Sequence, residues 1–308
     1  LIELPKDSVI KNTIYLFKEE KQRKFYFPKQ ISKGKIQFGF DGDKEDLEIE
    51  LLSKVTNNFK SITRFETNKD TLNFWHTLID NDSLIFKRKI GSLIDTTTVF
   101  LRKKVIDSLK INSNISNTLD LNDTLTLTSN NPITKIDTTK IVFIDKDSLN
   151  VPFSLKTINN SNKIHFLFKK KFNNNYQLQL LPKAFTDILK TSNDSLKYVF
   201  KTKEPEDYGS IILSVNNKSL SPVIIELLSG NKKTIIRKII IDKSKKVNFD
   251  LLPPGRYIIR ATVDINGNGK WDTGNFLKKK QPEKVIYHSE IFNIRSNWHL
   301  PSEIFTIN

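Results

Sequence analysis

The residues best spaced for chemistry lie in one short run near the C-terminus. Asp264, Asn266 and Asn268 place side-chain oxygens at every second position. Gly269 follows, Lys270 offers a backbone carbonyl, and Asp272 ends the set. Counted from Asp264, these are positions 1, 3, 5, 6, 7 and 9 of a calcium-binding loop. In such a loop alternating oxygens wrap a hard cation and the glycine makes the sharp turn. The run departs from the pattern at position 12, where Asn275 stands in place of a bidentate glutamate. A remote carboxylate such as Glu283 could substitute for it. With only Asp264 and Asp272 charged inside the loop, affinity would be modest. The same residues also make a Gly/Asn hairpin loop closed by Asx turns, with Trp271 packed on the domain beneath. Both readings stand: calcium as a cofactor held by Asp264, Asn266, Asn268, Lys270 and Asp272, or a plain loop.

Nothing else is spaced for catalysis. The chain has no Cys, which excludes disulfides, thiolate zinc sites and a Cys nucleophile in these 308 residues. No Gly-x-Ser-x-Gly elbow or phosphate loop is present. His76, His165, His288 and His299 lack a second His at ligand spacing, so each is read as a satisfied or exposed structural residue. Asp41 and Asp43 fall in a turn, and Glu48 and Glu50 on the outer face of a strand. The expected catalytic set is empty, and the chain is read as non-enzymatic.

The elements that must carry these residues are strands. Ile36, Phe38 and Phe40 alternate with Lys35, Gln37 and Gly39, and Leu47, Ile49 and Leu51 alternate with Glu48 and Glu50. Period 2 puts one face in a core and the other in water. Thr13–Phe17, Thr71–Trp75, Ser83–Lys87 and Ile164–Phe168 are further short apolar runs. Four Asp-Thr-Leu or Asp-Ser-Leu steps, at Asp70, Asp82, Asp123 and Asp194, read as Asx turns opening strands. Helical spacing is absent apart from a turn or two within 105–118. Strands every ~8–12 residues with turn signals between them predict β-sandwiches.

Composition adds bounds. A 37% hydrophobic chain is not wholly disordered. Polar segments near 103–119 and 201–208 suggest three domains, 1–103, 104–203 and 204–308, each of sandwich size. The absence of Met, with Leu1 first, predicts that a start segment precedes the sequence. The net charge of +16 permits nucleic acid, anionic lipid or acidic glycan as partners. Its Lys and Arg are spread along the chain, and the densest runs, Lys169–Lys171 and Lys278–Lys280, read first as solvated loops or strand ends. Nucleic acid is not expected.

Several motifs carry a resemblance. Tyr176 to Pro182, Ala184-Phe185-Thr186-Asp187, Asn193-Asp194 and Tyr198 to Thr202 resemble the bacterial Ig-like domain of the SbsA type. Leu251-Leu252-Pro253-Pro254-Gly255, followed by Tyr257 and Ala261, resembles the prealbumin-like sandwich of carboxypeptidase-regulatory domains. In that reading Pro254-Gly255 is the turn, with glycine free to take positive φ. The Asp264–Gly274 run, Gln281-Pro282-Glu283, and Asn297-Trp298 are similar to the C-terminal region of Ig-like-domain envelope lipoproteins of Bacteroidota. Phe17–Lys21 and Lys33–Phe38 are similar to that family's central domain.

The resemblance implies an all-β fold of tandem Ig-like and prealbumin-like β-sandwich domains. It implies a non-enzymatic scaffold or binding subunit in the cell envelope at the outer membrane, within a protein complex. The expected partners are proteins of that complex or an acidic surface glycan. Membrane association would come through a lipid anchor upstream of Leu1. The alternative is a set of accessory sandwiches attached to a glycan-acting enzyme whose catalytic part lies upstream.

Overall fold

The computed structural model describes residues 22–66, 69–275 and 279–308. The strand expected at Thr13–Phe17, the Phe17–Lys21 motif and Lys278 lie outside these residues. Among the described residues the regular structure is all β, with only three short 3-10 turns, at Lys44–Asp46, Thr138–Lys140 and Pro205–Asp207. The helical turns allowed within 105–118 are absent. That stretch is extended and yields one short strand, Ile111–Ser113. Several of its polar groups bond to neighbouring chain, as Lys110 N does to Asn130 Oδ1 at 2.9 Å.

Chain contacts divide the protein into two compact units, one spanning Lys21–Lys203 and the other taking Glu204–Asn308 among the described residues. The first unit contains two Ig-like sandwiches with separate cores. In the first, Lys35–Asp41 sits between Lys24–Phe25 and Thr71–His76, with Ser61–Phe65 beyond; Lys29–Ser32 also pairs with it. The facing sheet is Leu47–Leu51, Ser83–Ile90 and Leu93–Phe100. Ile36, Phe38, Leu72 and Phe74 meet Leu84, Phe86 and Val99 across the gap. The alternation in the sequence therefore points inward as expected, and Phe38, Phe74 and Phe86 pack edge to face.

The second sandwich sets Phe153–Thr157, Lys163–Phe168, Leu125–Ser129 and Ile111–Ser113 against Ile141–Asp145, Asn175–Leu180 and Leu196–Lys201. A small pair, Ile133–Ile136 with Phe185–Asp187, closes one end. The Asp-Thr-Leu and Asp-Ser-Leu steps do open strands, which start at Thr71, Ser83, Leu125 and Leu196.

The C-terminal unit has a three-stranded sheet, Lys245–Leu252, Gly209–Asn217 and His299–Ile307, and a four-stranded sheet, Ile235–Ile241, Val223–Ser229, Gly255–Val263 and Val285–Ile294. The last strand runs parallel to the first. Val223–Leu228 is buried throughout, so this strand reads as a buried run rather than an alternation, and its one charged member, Glu226, accepts from Arg260 Nε at 2.8 Å. The Leu-Pro-Pro-Gly turn differs from expectation in one respect. Gly255 already belongs to the next strand, paired with Ile294. The positive φ falls on Leu251 instead, at 54°. Rigid Pro253 and Pro254 make the reversal, and the Tyr257 hydroxyl donates to the Pro253 carbonyl at 2.6 Å.

Candidate functional site

Antiparallel register builds the Asp264 loop. Thr262 pairs with Val285, so the two chain segments that leave this pair place Asp264 opposite Glu283. Both carboxylates are buried, at 0% and 4% exposure. Asp264 accepts backbone N–H from Asn268 at 3.1 Å and from Gly269 at 2.8 Å. Glu283 accepts from Ile265 N at 2.8 Å and Asp272 N at 2.9 Å. Glu283 thus reaches the loop and clasps both its ends. Asn275 does not occupy a ligand position; its backbone is bridged to Lys280.

The remaining predicted ligands also converge. Asn266 and Asn268 both donate their amide to Asp272 Oδ2, the latter at 2.9 Å. Their side-chain oxygens accept Asx-turn bonds from Asn268 N at 3.1 Å and Lys270 N at 2.8 Å. Gly267 and Gly269 supply the positive φ the loop needs. The Gly269 carbonyl accepts from Lys238 Nζ. Trp271 is not packed down on the sandwich: it is half exposed, and its indole N–H donates to the Glu283 carbonyl at 3.1 Å. The donors are all oxygens, which suits a hard cation. Here they are satisfied by the loop's own N–H groups, and among the described residues no three His, Cys, Asp or Glu side chains gather as a metal site.

A second constellation joins the two sandwiches of the first unit. Trp75, 2% exposed, packs with Ile188 and Leu189 of the second sandwich, with Ile62 and Ile106 against them. Its indole N–H donates to Asn131 Oδ1 at 3.2 Å, and the Asn131 amide donates to Asp187 Oδ2 at 2.8 Å. Asn131 and Asp187 are each 1% exposed. The other Asp187 oxygen accepts from Leu189 N at 2.9 Å and Thr191 N at 2.8 Å. Burial raises the Asp187 carboxyl above the usual carboxylate value, partly offset by these donors.

Gly34 makes this close approach feasible. It has φ 78°, and a Cβ there would lie 2.4 Å from Leu189 Cδ2 and 2.9 Å from the His76 carbonyl. Across the same joint, Arg64 donates to the Ser161 carbonyl and to Asn162 Oδ1, and burial lowers its pKa. The linker is fixed at both ends, Lys33 N to Val105 O at 3.2 Å and Asn130 Nδ2 to Ser108 O at 2.9 Å.

The motif Ala184-Phe185-Thr186-Asp187 is visible in the sequence, but its part in the joint is not. The Asx turn it makes is local, whereas its partners Asn131 and Trp75 lie 56 and 112 residues away (187 − 131 and 187 − 75). Asn193 serves the same loop: it accepts from Phe185 N at 2.7 Å and donates to Leu181 O at 3.0 Å.

The histidines also divide. His299 contacts Ser210 Oγ at 2.9 Å, and His288 accepts from Glu290 N at 3.1 Å. His165 is half-buried on the face away from the core residues Ile164 and Phe166. His76 is the exception to the expectation of a satisfied or exposed residue: it is buried and its Nε2 has no partner.

No protein-family model matches the chain, and no curated protein matches it. Solved structures are similar to it in fold. A fragment of native alpha-2-macroglobulin from Escherichia coli shares 11% identity over 52% of this chain and 67% of its own, with a TM-score of 0.28. The major pilin subunit BcpA of Bacillus cereus shares 11% over 81% of this chain and 93% of its own, at 0.21. Domains 4–9 of the surface layer protein SbsC share 10% over 87% of this chain and 49% of their own, at 0.27. Likeness at this level carries neither a domain arrangement nor a function. The fold rests on the strands and cores described above.

Proposed function

We propose that the chain is a non-enzymatic Ig-like protein of the cell envelope, of the Bacteroidota lipoprotein type, serving as a scaffold or binding subunit in an outer-membrane complex. The buried joint of the Lys21–Lys203 unit carries this reading. Modules meant to flex are separated by exposed, weakly packed linkers. Here a Trp–Asn–Asp relay, an apolar cluster and a strapped linker hold two sandwiches as one body. Fixed spacing between two loop-bearing ends is what a scaffold requires. The motifs at Ala184–Asp187, Leu251–Tyr257 and Asp264–Gly274 support placing it with the envelope family they resemble.

The absence of native Cys makes the test direct. Spin labels at Glu50→Cys and Lys156→Cys, one on each sandwich, should give a single narrow distance distribution. A broad one would refute the scaffold reading. Fractionation of cells of the source organism should place the full-length protein with the outer membrane, in a complex of defined stoichiometry. Recovery as a free cytoplasmic protein would refute the location.

Calcium at the Asp264 loop belongs to the same proposal. Asp264, Asp272 and the side-chain oxygens of Asn266 and Asn268 would hold it, with the Lys270 carbonyl, once the Asn amides turn away from Asp272. Calorimetry with calcium alone should show heat of binding at millimolar concentration. A flat titration, together with a melting temperature indifferent to chelator, rejects calcium.

A further inference from the structure

The first sandwich contains a cavity of about 500 Å³ that nothing above uses. Its size is that of a small-ligand site. Lys33, Arg102, Lys103 and Lys104 line it, and Asp80 is the one carboxylate among its lining residues. The basic segment is held in place before any ligand arrives. Gln30 grips the Arg102 backbone with both ends of its amide, accepting from Arg102 N at 2.8 Å and donating to its carbonyl at 3.3 Å. Lys104 Nζ is tied to the carbonyls of Gln30 at 2.6 Å and Ile31 at 3.2 Å. Lys33, Arg102 and Lys103 are exposed. Pre-positioned cations around a recess favour an anionic ligand.

His76 is a buried member of the lining, 2% exposed. Nδ1 lies 2.9 Å from the Thr77 carbonyl, which can only accept, so Nδ1 carries the proton. Nε2 is then a bare lone pair, buried and without a donor. Phe59 stacks on the ring at 6.0 Å, and Phe74 lies 5.9 Å away. Burial lowers the imidazole pKa, so the ring stays neutral. An orphaned buried acceptor is rare, and with no exposed surface this one meets no ligand in the cavity. A phosphate ion would leave most of the cavity empty and makes no use of its apolar wall. A sugar brings hydroxyl donors and C–H faces for the aliphatic wall of Leu78, Ile79 and Leu101.

We propose that this cavity binds an acidic sugar unit of a polysaccharide, its anionic group on the 102–104 segment and its C–H face on the aliphatic wall of Leu78, Ile79 and Leu101. The envelope role proposed above enters only in explaining where such a glycan is met. A binding protein found outside the envelope would sink that role and leave the site standing.

The test uses the purified chain and four probes: a glucuronate-containing disaccharide, cellobiose, inorganic phosphate, and phosphatidylglycerol vesicles. The acidic disaccharide should bind at least about tenfold tighter than cellobiose or phosphate. Arg102→Ala with Lys103→Ala, both exposed and outside any core, should lose about tenfold or more of that affinity with the melting temperature unchanged. Four results would overturn the site: no binding of the acidic disaccharide; equal binding of cellobiose; binding indifferent to the double substitution; or vesicle binding that the substitution abolishes while the disaccharide stays unbound.

Discussion

Two buried aspartates use one local device for different ends. Asp187 and Asp264 are each shielded from water and each fold a short loop over a carboxylate by accepting two backbone N–H groups. Around Asp264 the further side-chain bonds stay within its own sandwich, returning to the loop, to Glu283, eleven positions beyond Asp272, or to Lys238. Around Asp187 the next bond leaves the sandwich, passing through Asn131 to Trp75 of its neighbour. One carboxylate closes a loop; the other closes a joint. The difference lies in whether an unpaired donor from another domain comes within reach.

If that contrast is right, damage at Asp187 should spread and damage at Asp264 should stay local. Asp187→Ala strands Leu189 N, Thr191 N and the Asn131 amide in a dry site. An unmet buried donor costs ~1–3 kcal/mol, so the Lys21–Lys203 unit should lose about 3 kcal/mol or more. Denaturation followed by Trp75 fluorescence would read it. A loss under about 1 kcal/mol would mean that water replaces the carboxylate freely.

Gly34→Val tests the joint from the other side and should cost somewhat less. Valine must adopt φ 78° and push Leu189 away. Strain of this kind costs ~1–3 kcal/mol. The spin-label distance distribution between the sandwiches should broaden, while the Phe38–Phe74–Phe86 core stays packed. An unchanged distribution would show that the joint does not need close approach at Gly34.

The extent to which this was legible follows from range. Alternation such as Ile36-Phe38-Phe40 and turn chemistry such as Asp70-Thr71 act over a few residues, and both strands and their faces could be read from them. The Asp264 loop residues make the Asx-turn bonds that one of the two readings of their spacing allowed. Glu283 could be named only as one remote carboxylate among others, because its place opposite Asp264 is set by strand register. The joint was hidden, because Trp75, Asn131 and Asp187 sit in three separate turns or strands and nothing in their spacing links them. His76 shows the same limit. Its position at a strand end is visible, but an unmet Nε2 is a property of surroundings that the linear sequence does not display. The turn at Pro253 erred for a local reason: two prolines already fix the reversal, so the glycine was free to join a strand.

At the loop, Glu283→Gln should cost about 1–2 kcal/mol, because one amide group would face a backbone N–H donor. The effect should appear as faster proteolysis within 265–272, with melting of the Lys21–Lys203 unit unaltered. Destabilisation of that unit by this substitution would break the contrast between the two aspartates.

The smallest effect is in proton binding, and it has opposite signs at two buried carboxylates of one unit. Burial raises the folded pKa of Asp187. A raised folded pKa gives stability that is fully present below the unfolded value and lost as pH rises through the folded one. Asp145 is shifted the other way, first by its hydrogen bond from Lys171 at 3.1 Å and then by N–H bonds from Leu149 and Asp147. Its contribution is present above the unfolded value and lost as pH falls through the lowered one. Carboxyl-carbon NMR should therefore show Asp187 titrating above an ordinary aspartate and Asp145 below it. Trp75→Phe removes the indole that orients Asn131, so it should draw Asp187 toward the ordinary value by admitting water to the joint. It should leave Asp145 where it was. Movement of both, or of neither, would mean that the relay does not keep Asp187 dry.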